Sequence, residues 1–239
     1  DIMDIRGVVF DVDDTLYDMA QPFFGAYHAI YGAKHHLPMQ KLFLSFRRYS
    51  DEKFVDSQMG KMTMDALYIY RIRMALRDYC VETTDAEAME FQRFYMGLQY
   101  QIKLSSGMTS FLDKLRKHAE IGVITNGESK HQRRKIHSLD ISPWVSEERI
   151  IVSGDYAFRK PDVRIFREME RRLNLASEHL LYIGDAFDLD IAGAQGAGWK
   201  SIWFNHRRRN RPDGEQIYPY AEAHTEEELF TAVMPMIEK

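Results

Sequence analysis

The sequence of 239 residues has little cysteine, no long apolar run and no excess of charge of one sign. Its one cysteine, Cys80, excludes an intramolecular disulfide and any zinc or iron–sulfur site built from several cysteines. No apolar run approaches the ~18 residues that a membrane span requires, and the polar start Asp1–Arg6 lacks the pattern of a signal peptide. We therefore expect a cytoplasmic protein without membrane contact.

The charge balance argues against a nucleic-acid partner. Lys and Arg number 32 against 36 Asp and Glu, which gives a formal net charge of −4, whereas nucleic-acid-binding domains usually carry a positive excess. Hydrophobic residues make up 45% and charged residues 28%, as in an ordinary globular protein. We predict no obligatory protein partner.

The order of apolar and amphipathic segments predicts an α/β fold with a doubly wound parallel sheet. The first run, Gly7–Val12, is β-branched and lacks polar alternation, which is typical of a strand covered on both faces. Between Gln21 and Gln101 only helical periodicity is present, and it predicts three to five helices. After Gly107, short strands alternate with helices. We predict a core domain formed by 1–17 and 105–239, interrupted by an all-helical domain at 18–104.

Polar side chains follow each of the first four predicted strands. Asp11, Asp13 and Thr15 follow the first, Thr125 and Asn126 the second, Lys160 the third, and Asp185 and Asp190 the fourth. Ligands of open α/β sheets bind beyond the carboxyl ends of the strands, so these groups should meet at one edge. Crowded carboxylates repel one another, and a hard cation with a nearby lysine offsets that repulsion. Oxygen ligands without histidine or thiolate favour Mg²⁺.

Four segments resemble the four motifs of the haloacid dehalogenase-like (HAD) hydrolase superfamily. They are DVDDTL at 11–16, ITNG at 124–127, RKPD at 159–162 and GDAFDLDIAGAQGAG at 184–198. They occur in the family's order and span nearly the whole chain. The resemblance implies a Rossmann-like core, and the helical insert resembles the family's helical-bundle cap. The sequence is most similar in character to the phosphatase branch, which includes pyrimidine-nucleotidase-like members.

The resemblance also implies roles for two catalytic carboxylates. Asp11 would be the nucleophile that attacks phosphorus and forms an aspartyl-phosphate. Asp13 would protonate the leaving alkoxide and then take a proton from the hydrolytic water. For that work Asp13 needs a raised pKa, and we expect crowding by the other carboxylates to raise it.

The remaining motif residues are implied to bind phosphate and metal. Thr125 and the backbone of Asn126 would hydrogen-bond the phosphoryl oxygens, and Lys160 would neutralise charge on Asp11 and on the phosphoryl group. The implied Mg²⁺ ligands are the carboxylates of Asp11 and Asp185, the carbonyl of Asp13, and Asp190 in the second shell or through water.

These expectations describe a Mg²⁺-dependent phosphomonoesterase that acts on a small phosphorylated metabolite. A phosphomutase on the same scaffold, and a non-catalytic protein that binds phosphate ligands, are the alternatives. A binding module has no need of a nucleophile and an acid together, which favours the enzyme. No motif in the helical insert identifies the substrate.

Two groups of basic residues have both a structural and a functional interpretation. The run His206–Arg211 indicates either a solvated loop after the last strand or a contact for nucleic acid or a phosphate tail. Arg71 and Arg73 follow Tyr70 on a predicted amphipathic helix. They read as solvated charges, or as a contact to a part of the substrate remote from the phosphate.

Overall fold

The computed structural model describes residues 3–32 and 36–238, and the chain divides into two compact units. Asp1–Asp18 and Lys103–Lys239 form the core unit, and Met19–Ile102 form the cap unit. In the described residues the α-helices are α1 Ala20–Tyr31, α2 Met39–Gln58, α3 Met64–Arg77, α4 Asp85–Leu98, α5 Ser106–Leu115, α6 Ser129–Leu139, α7 Val163–Leu173, α8 Ala192–Gly196 and α9 Glu226–Ile237.

The core unit contains a six-stranded sheet in which every neighbouring pair of strands is parallel. Its strands are β1 Gly7–Phe10, β2 Glu120–Thr125, β3 Ile150–Val152, β4 Leu180–Gly184, β5 Lys200–Phe204 and β6 Ala221–Ala223. The predicted α/β fold with a doubly wound parallel sheet is confirmed. The edge strand β6 escaped prediction because its three residues form no apolar run.

Helices cover both faces of this sheet. Val9 and Phe10 are adjacent on β1, and their side chains point to opposite faces. Val9 belongs to a buried cluster with Phe166 of α7, whereas the ring of Phe10 lies 6.3 Å from that of Phe111 on α5. Burial on both faces explains why β1 has no polar alternation.

The strand order β3-β2-β1-β4-β5-β6 determines where a ligand can bind. The winding direction reverses between β1 and β4, which leaves a crevice beyond their carboxyl ends. Asp11 comes directly after β1, and Asp185 comes directly after β4. Thr125 is the last residue of β2, the other neighbour of β1. Topology alone therefore brings these three groups to one edge.

The cap unit is built from α1–α4, within the predicted range of three to five helices. Aromatic rings fill its core, and Phe91 of α4 contacts the rings of Phe23, Tyr31, Phe46 and Tyr95. Side-chain caps begin the last two helices: Thr63 accepts a hydrogen bond at the start of α3, and Thr84 forms a capping box with the N3 glutamate of α4.

Arg71 lies inside the cap unit, so its interpretation as a solvated charge is wrong. Its guanidinium donates to Ser50 of α2 at 3.2 Å and to Gln92 of α4 at 2.7 Å, and it lies 4.5 Å from the ring centre of Phe46. The side chain thus joins three helices through neutral acceptors and aromatic rings. Arg73 forms an ion pair with Asp85 at the start of α4.

Within the part of the chain that the structure describes, no helix combines the length and the apolar character that crossing a bilayer requires.

We predict that Phe91→Ala lowers the free energy of unfolding of the cap unit by about 3–5 kcal/mol, because it removes a fully buried ring and leaves a cavity. The matched control is Phe54→Ala, because Phe54 is exposed on α2, and there the change should stay within about 0.5 kcal/mol. Urea titration followed by circular dichroism measures both. Equal effects of the two substitutions would contradict this description of the cap core.

Candidate active site

A buried lysine lies at the centre of the site. Lys160 Nζ lies 2.9 Å from Asp11 Oδ1 and 2.7 Å from Asp190 Oδ1, and it also bonds the Tyr182 hydroxyl at 2.8 Å. Only 2% of the lysine is exposed. An ammonium group is stable at such a depth only if it is paired and hydrogen-bonded, and the two carboxylates supply that pairing.

Three carboxylates, those of Asp11, Asp185 and Asp190, lie close together around one lysine. The pKa values of two of them are raised. Burial raises the pKa of Asp11 to about 7; Lys160 opposes the rise, and the charge of Asp190 adds to it. Burial, with the charges of Asp11 and Asp190, also raises the pKa of Asp185 well above its ordinary value. Lys160 therefore does not offset the charge of all three carboxylates, and the exposed Arg209 approaches Asp185 Oδ2 only to 4.0 Å.

This excess of negative charge fits a divalent cation. One carboxylate oxygen from each of Asp11, Asp185 and Asp190 lies within 4.8 Å of the others. An all-oxygen donor set suits a hard ion such as Mg²⁺. Asp190 also accepts the Ala186 N–H at 3.0 Å, so both of its oxygens already have protein partners. That bonding suits the predicted place of Asp190 outside the inner ligand shell.

Asp13 occupies a different environment from Asp11. The Tyr17 hydroxyl donates to its Oδ1 at 2.6 Å, Lys135 Nζ bonds the same oxygen at 2.7 Å, and Gln132 Nε2 donates to Oδ2 at 2.9 Å. Burial alone would raise the pKa of Asp13, but the lysine and the hydrogen bonds outweigh it and lower the pKa. The expectation of a pKa raised by crowding is wrong, because the nearest charge is a cation.

Sequence reasoning missed Gln132, Lys135 and Tyr17 as residues of the site. A signal was available, since positions 132 and 135 are three apart on a helix and share a face. The helix α6 that carries them begins four residues after Thr125, so that face can reach the edge of the sheet. Tyr17 gave no comparable signal.

The second motif lies against the first and the third. Thr125 is fully buried, and its hydroxyl accepts a hydrogen bond from Gln132 Nε2 at 2.6 Å. The Asn126 side chain bonds the backbone of Lys160 in both directions, at 3.1 Å and 3.0 Å. The Asn126 side chain therefore fixes the loop that carries the lysine, while its backbone is the group that we predicted to bind phosphate.

Arg207 anchors the loop after β1, which makes the solvated-loop interpretation of 206–211 wrong at this position. Its guanidinium bonds both carboxylate oxygens of Asp14, at 2.8 and 2.7 Å, and Asp18 at 2.5 Å. His206 bonds the Asp14 carbonyl at 2.9 Å. Asp14 has a positive φ of 60°, a conformation that a short polar residue tolerates best. The paired guanidinium holds the loop in that shape.

The fold and the site define a Rossmann-like α/β enzyme with a buried acidic centre at the carboxyl edge of its sheet. The model of the haloacid dehalogenase-like hydrolase family matches residues 5–198, and the chain belongs to that family. The resemblance seen in the four motifs is thereby confirmed, and the protein is a hydrolase.

Three relatives illustrate the similarity. HAD-hydrolase YfnB of Bacillus subtilis is 27% identical over 226 residues, 94% of each chain. Its magnesium-bound crystal structure matches with a TM-score of 0.67, covering 97% of this chain and 99% of that one. Pyrimidine 5'-nucleotidase YjjG of Escherichia coli is 25% identical, covering 87% and 89% of the two chains. N-acylneuraminate-9-phosphatase of Mus musculus is 26% identical, covering 86% and 84%.

We predict that Gly184→Ala disturbs the site, because an added Cβ would lie 2.3 Å from Asp190 Oδ2 and displace that carboxylate from Lys160. Stability should fall by about 1–3 kcal/mol and hydrolytic turnover by ~10-fold or more. The matched control is Gly196→Ala, where no heavy atom lies within 4 Å of the new Cβ and both quantities should stay near wild type. Thermal melts and steady-state rates measure the pair. Wild-type turnover in Gly184→Ala would contradict the conclusion that Asp190 holds Lys160 in place for activity.

Proposed function

We propose that the protein is a Mg²⁺-dependent phosphomonoesterase that hydrolyses a small phosphorylated metabolite through an aspartyl-phosphate on Asp11. The observation that carries the proposal is the Asp11 carboxylate, buried at the end of β1 and bonded by Lys160 beside two further carboxylates. Two of the relatives are named as phosphatases or nucleotidases, which supports phosphate-ester hydrolysis over other hydrolytic reactions.

In the first step an Asp11 oxygen attacks phosphorus, a bond to the aspartate forms, and the bond to the leaving oxygen breaks. Lys160, Thr125 and the Asn126 backbone would stabilise the charge on the phosphoryl oxygens. Asp13 would give a proton to the departing alkoxide. The pKa of Asp13 is lowered in the free protein, and the negative charge of a bound phosphoryl group would raise it towards the range that a proton donor needs.

In the second step water attacks the aspartyl-phosphate, the bond to Asp11 breaks and inorganic phosphate leaves. Asp13, now ionised, takes the proton of the attacking water. A carboxylate held by Tyr17, Gln132 and Lys135 has one orientation, and this suits a group that transfers a proton in both directions.

The Mg²⁺ ligands would be Asp11, Asp185 and the Asp13 carbonyl, with Asp190 behind them. The bound ion would supply the positive charge that lets an anionic nucleophile approach an anionic phosphate. The raised pKa of Asp185 supports this assignment, because a bound cation would offset the charges of Asp11 and Asp190 that help to raise it.

We predict that Asp11→Asn lowers kcat by at least ~10³, because the amide keeps the shape but loses the attacking charge. Binding of the substrate should survive or tighten, since one repulsive charge is gone. Hydrolysis of p-nitrophenyl phosphate and of a panel of phosphorylated metabolites measures the loss. Wild-type turnover in this variant would rule out the aspartyl-phosphate mechanism.

We also predict that EDTA abolishes the activity, that Mg²⁺ restores it, and that Ca²⁺ restores it poorly. Calcium takes more ligands at longer distances, which would disturb the in-line geometry of attack. Activity after chelation and after addition of each metal is the measurement. Full activity in chelator, with metal analysis showing no bound ion, would refute the role of Asp185.

A further inference from the structure

We propose that Lys135 and Gln132, on one face of α6, are positioning residues for the proton transfers that Asp13 performs. The inference rests on the proposed phosphatase function and adds a residue pair that none of the four motifs contains. Each side chain reaches Asp13 from the same helix, and one of them also reaches Thr125.

The two side chains bond different oxygens of Asp13. Lys135 bonds Oδ1 at 2.7 Å, and Gln132 bonds Oδ2 at 2.9 Å. The two donors are buried, since the lysine side chain is only 5% exposed and the glutamine residue 2%, whereas the Asp13 side chain is 22% exposed. A carboxylate held at both oxygens by groups of one rigid helix has a fixed rotamer.

Gln132 also couples the acid–base group to the phosphate-binding motif. The same Nε2 that donates to Asp13 donates to Thr125 Oγ1 at 2.6 Å. The glutamine passes directly under the glycine of the second motif, since a Cβ on Gly127 would lie 2.6 Å from Gln132 Cγ. A glycine at 127 is therefore what lets this amide lie between the two groups.

The ion pair itself has a mechanistic consequence. In the proposed mechanism Asp13 passes a proton to the leaving group and then takes one from water, and both transfers need its carboxylate in the same position. Lys135 and Gln132 hold the two carboxylate oxygens in that position from one helix. Losing the lysine should therefore affect the proton-transfer steps and leave the attack by Asp11 nearly intact.

The test uses p-nitrophenyl phosphate, whose leaving group needs little protonation. Its first step releases p-nitrophenolate as Asp11 is phosphorylated, and its second step needs Asp13 to take a proton from water. For Lys135→Met we expect the pre-steady-state release of p-nitrophenolate within about 3-fold of wild type, and steady-state kcat lower by ~10–100-fold. An alkyl phosphate should lose activity in both steps.

A double-mutant cycle with Asp13→Asn distinguishes positioning from general damage. If Lys135 acts through Asp13, adding Lys135→Met to the Asp13→Asn variant should lower kcat by at most a further factor of about 3. The double variant removes both members of the ion pair together, so it should fold even if Lys135→Met alone proves unstable. Lys135→Arg keeps the charge and should recover most of the loss.

Gln132→Leu should behave differently from Lys135→Met. Because the amide touches Thr125 as well as Asp13, its loss should raise KM as well as lower kcat, whereas Lys135→Met should leave KM within about 3-fold of wild type. The matched control is Lys130→Met, since Lys130 is an exposed lysine of the same helix and its loss should change neither constant.

Several outcomes would overturn the proposal. The first is an unchanged kcat in Lys135→Met, and the second is a fall of its burst rate and its steady-state rate by the same factor. The third is a double variant whose loss of kcat equals the product of the losses in the two single variants. A wild-type protein that hydrolyses no phosphate monoester would overturn the proposed function itself, and it is recognised before any variant is made.

Discussion

The ion pairing of Lys160 with Asp11 and Asp190 is the interaction on which the rest of the site depends. Without the ammonium group, two carboxylates would face each other in the protein interior, where the electrostatic cost of like charges is high. The network also ties the chain together over long sequence distances, because Asp11, Lys160 and Asp190 follow or flank three different strands. The pairing is incomplete, since Asp185 adds a third acid to the cluster. The protein thus neutralises part of the charge and leaves a place for a cation.

Two aspartates that stand two residues apart are held in opposite electrostatic states. Asp11 lies among other acids and has a pKa raised to about 7, whereas Asp13 lies beside Lys135 and has a lowered pKa. Asp11 and Asp13 lie beyond the end of β1, and the chain bends between them at Val12, so the two side chains meet different surroundings. In the mechanism that we propose, the loop after β1 would supply both the nucleophile, Asp11, and the proton carrier, Asp13. The different surroundings of the two carboxylates would then let each perform a different step of the reaction.

Much of this arrangement could be predicted from the sequence, and what could not has physical reasons. Apolar runs without alternation revealed the buried strands, and parallel topology then required Asp11, Thr125 and Asp185 to meet at one edge.

The strand β6 could not be predicted, because its three residues carry no recognisable pattern. Lys135 and Gln132 could not be assigned to the site, because helical periodicity predicts that polar residues are exposed. Only the folded structure shows which acid they contact. Arg207 looked like one charge of a solvated run, since its partners Asp14 and Asp18 lie far away in sequence.

The most direct measurement of the central claim is the chemical fate of Asp11 during turnover. Wild-type protein is mixed with excess p-nitrophenyl phosphate and Mg²⁺, quenched rapidly in acid, digested, and analysed by mass spectrometry. The account predicts a peptide heavier by one phosphoryl group, with fragmentation placing that group on Asp11 and not on Asp13 or Asp14. Steady turnover without any phosphorylated peptide, or a phosphoryl group on another residue, would contradict it.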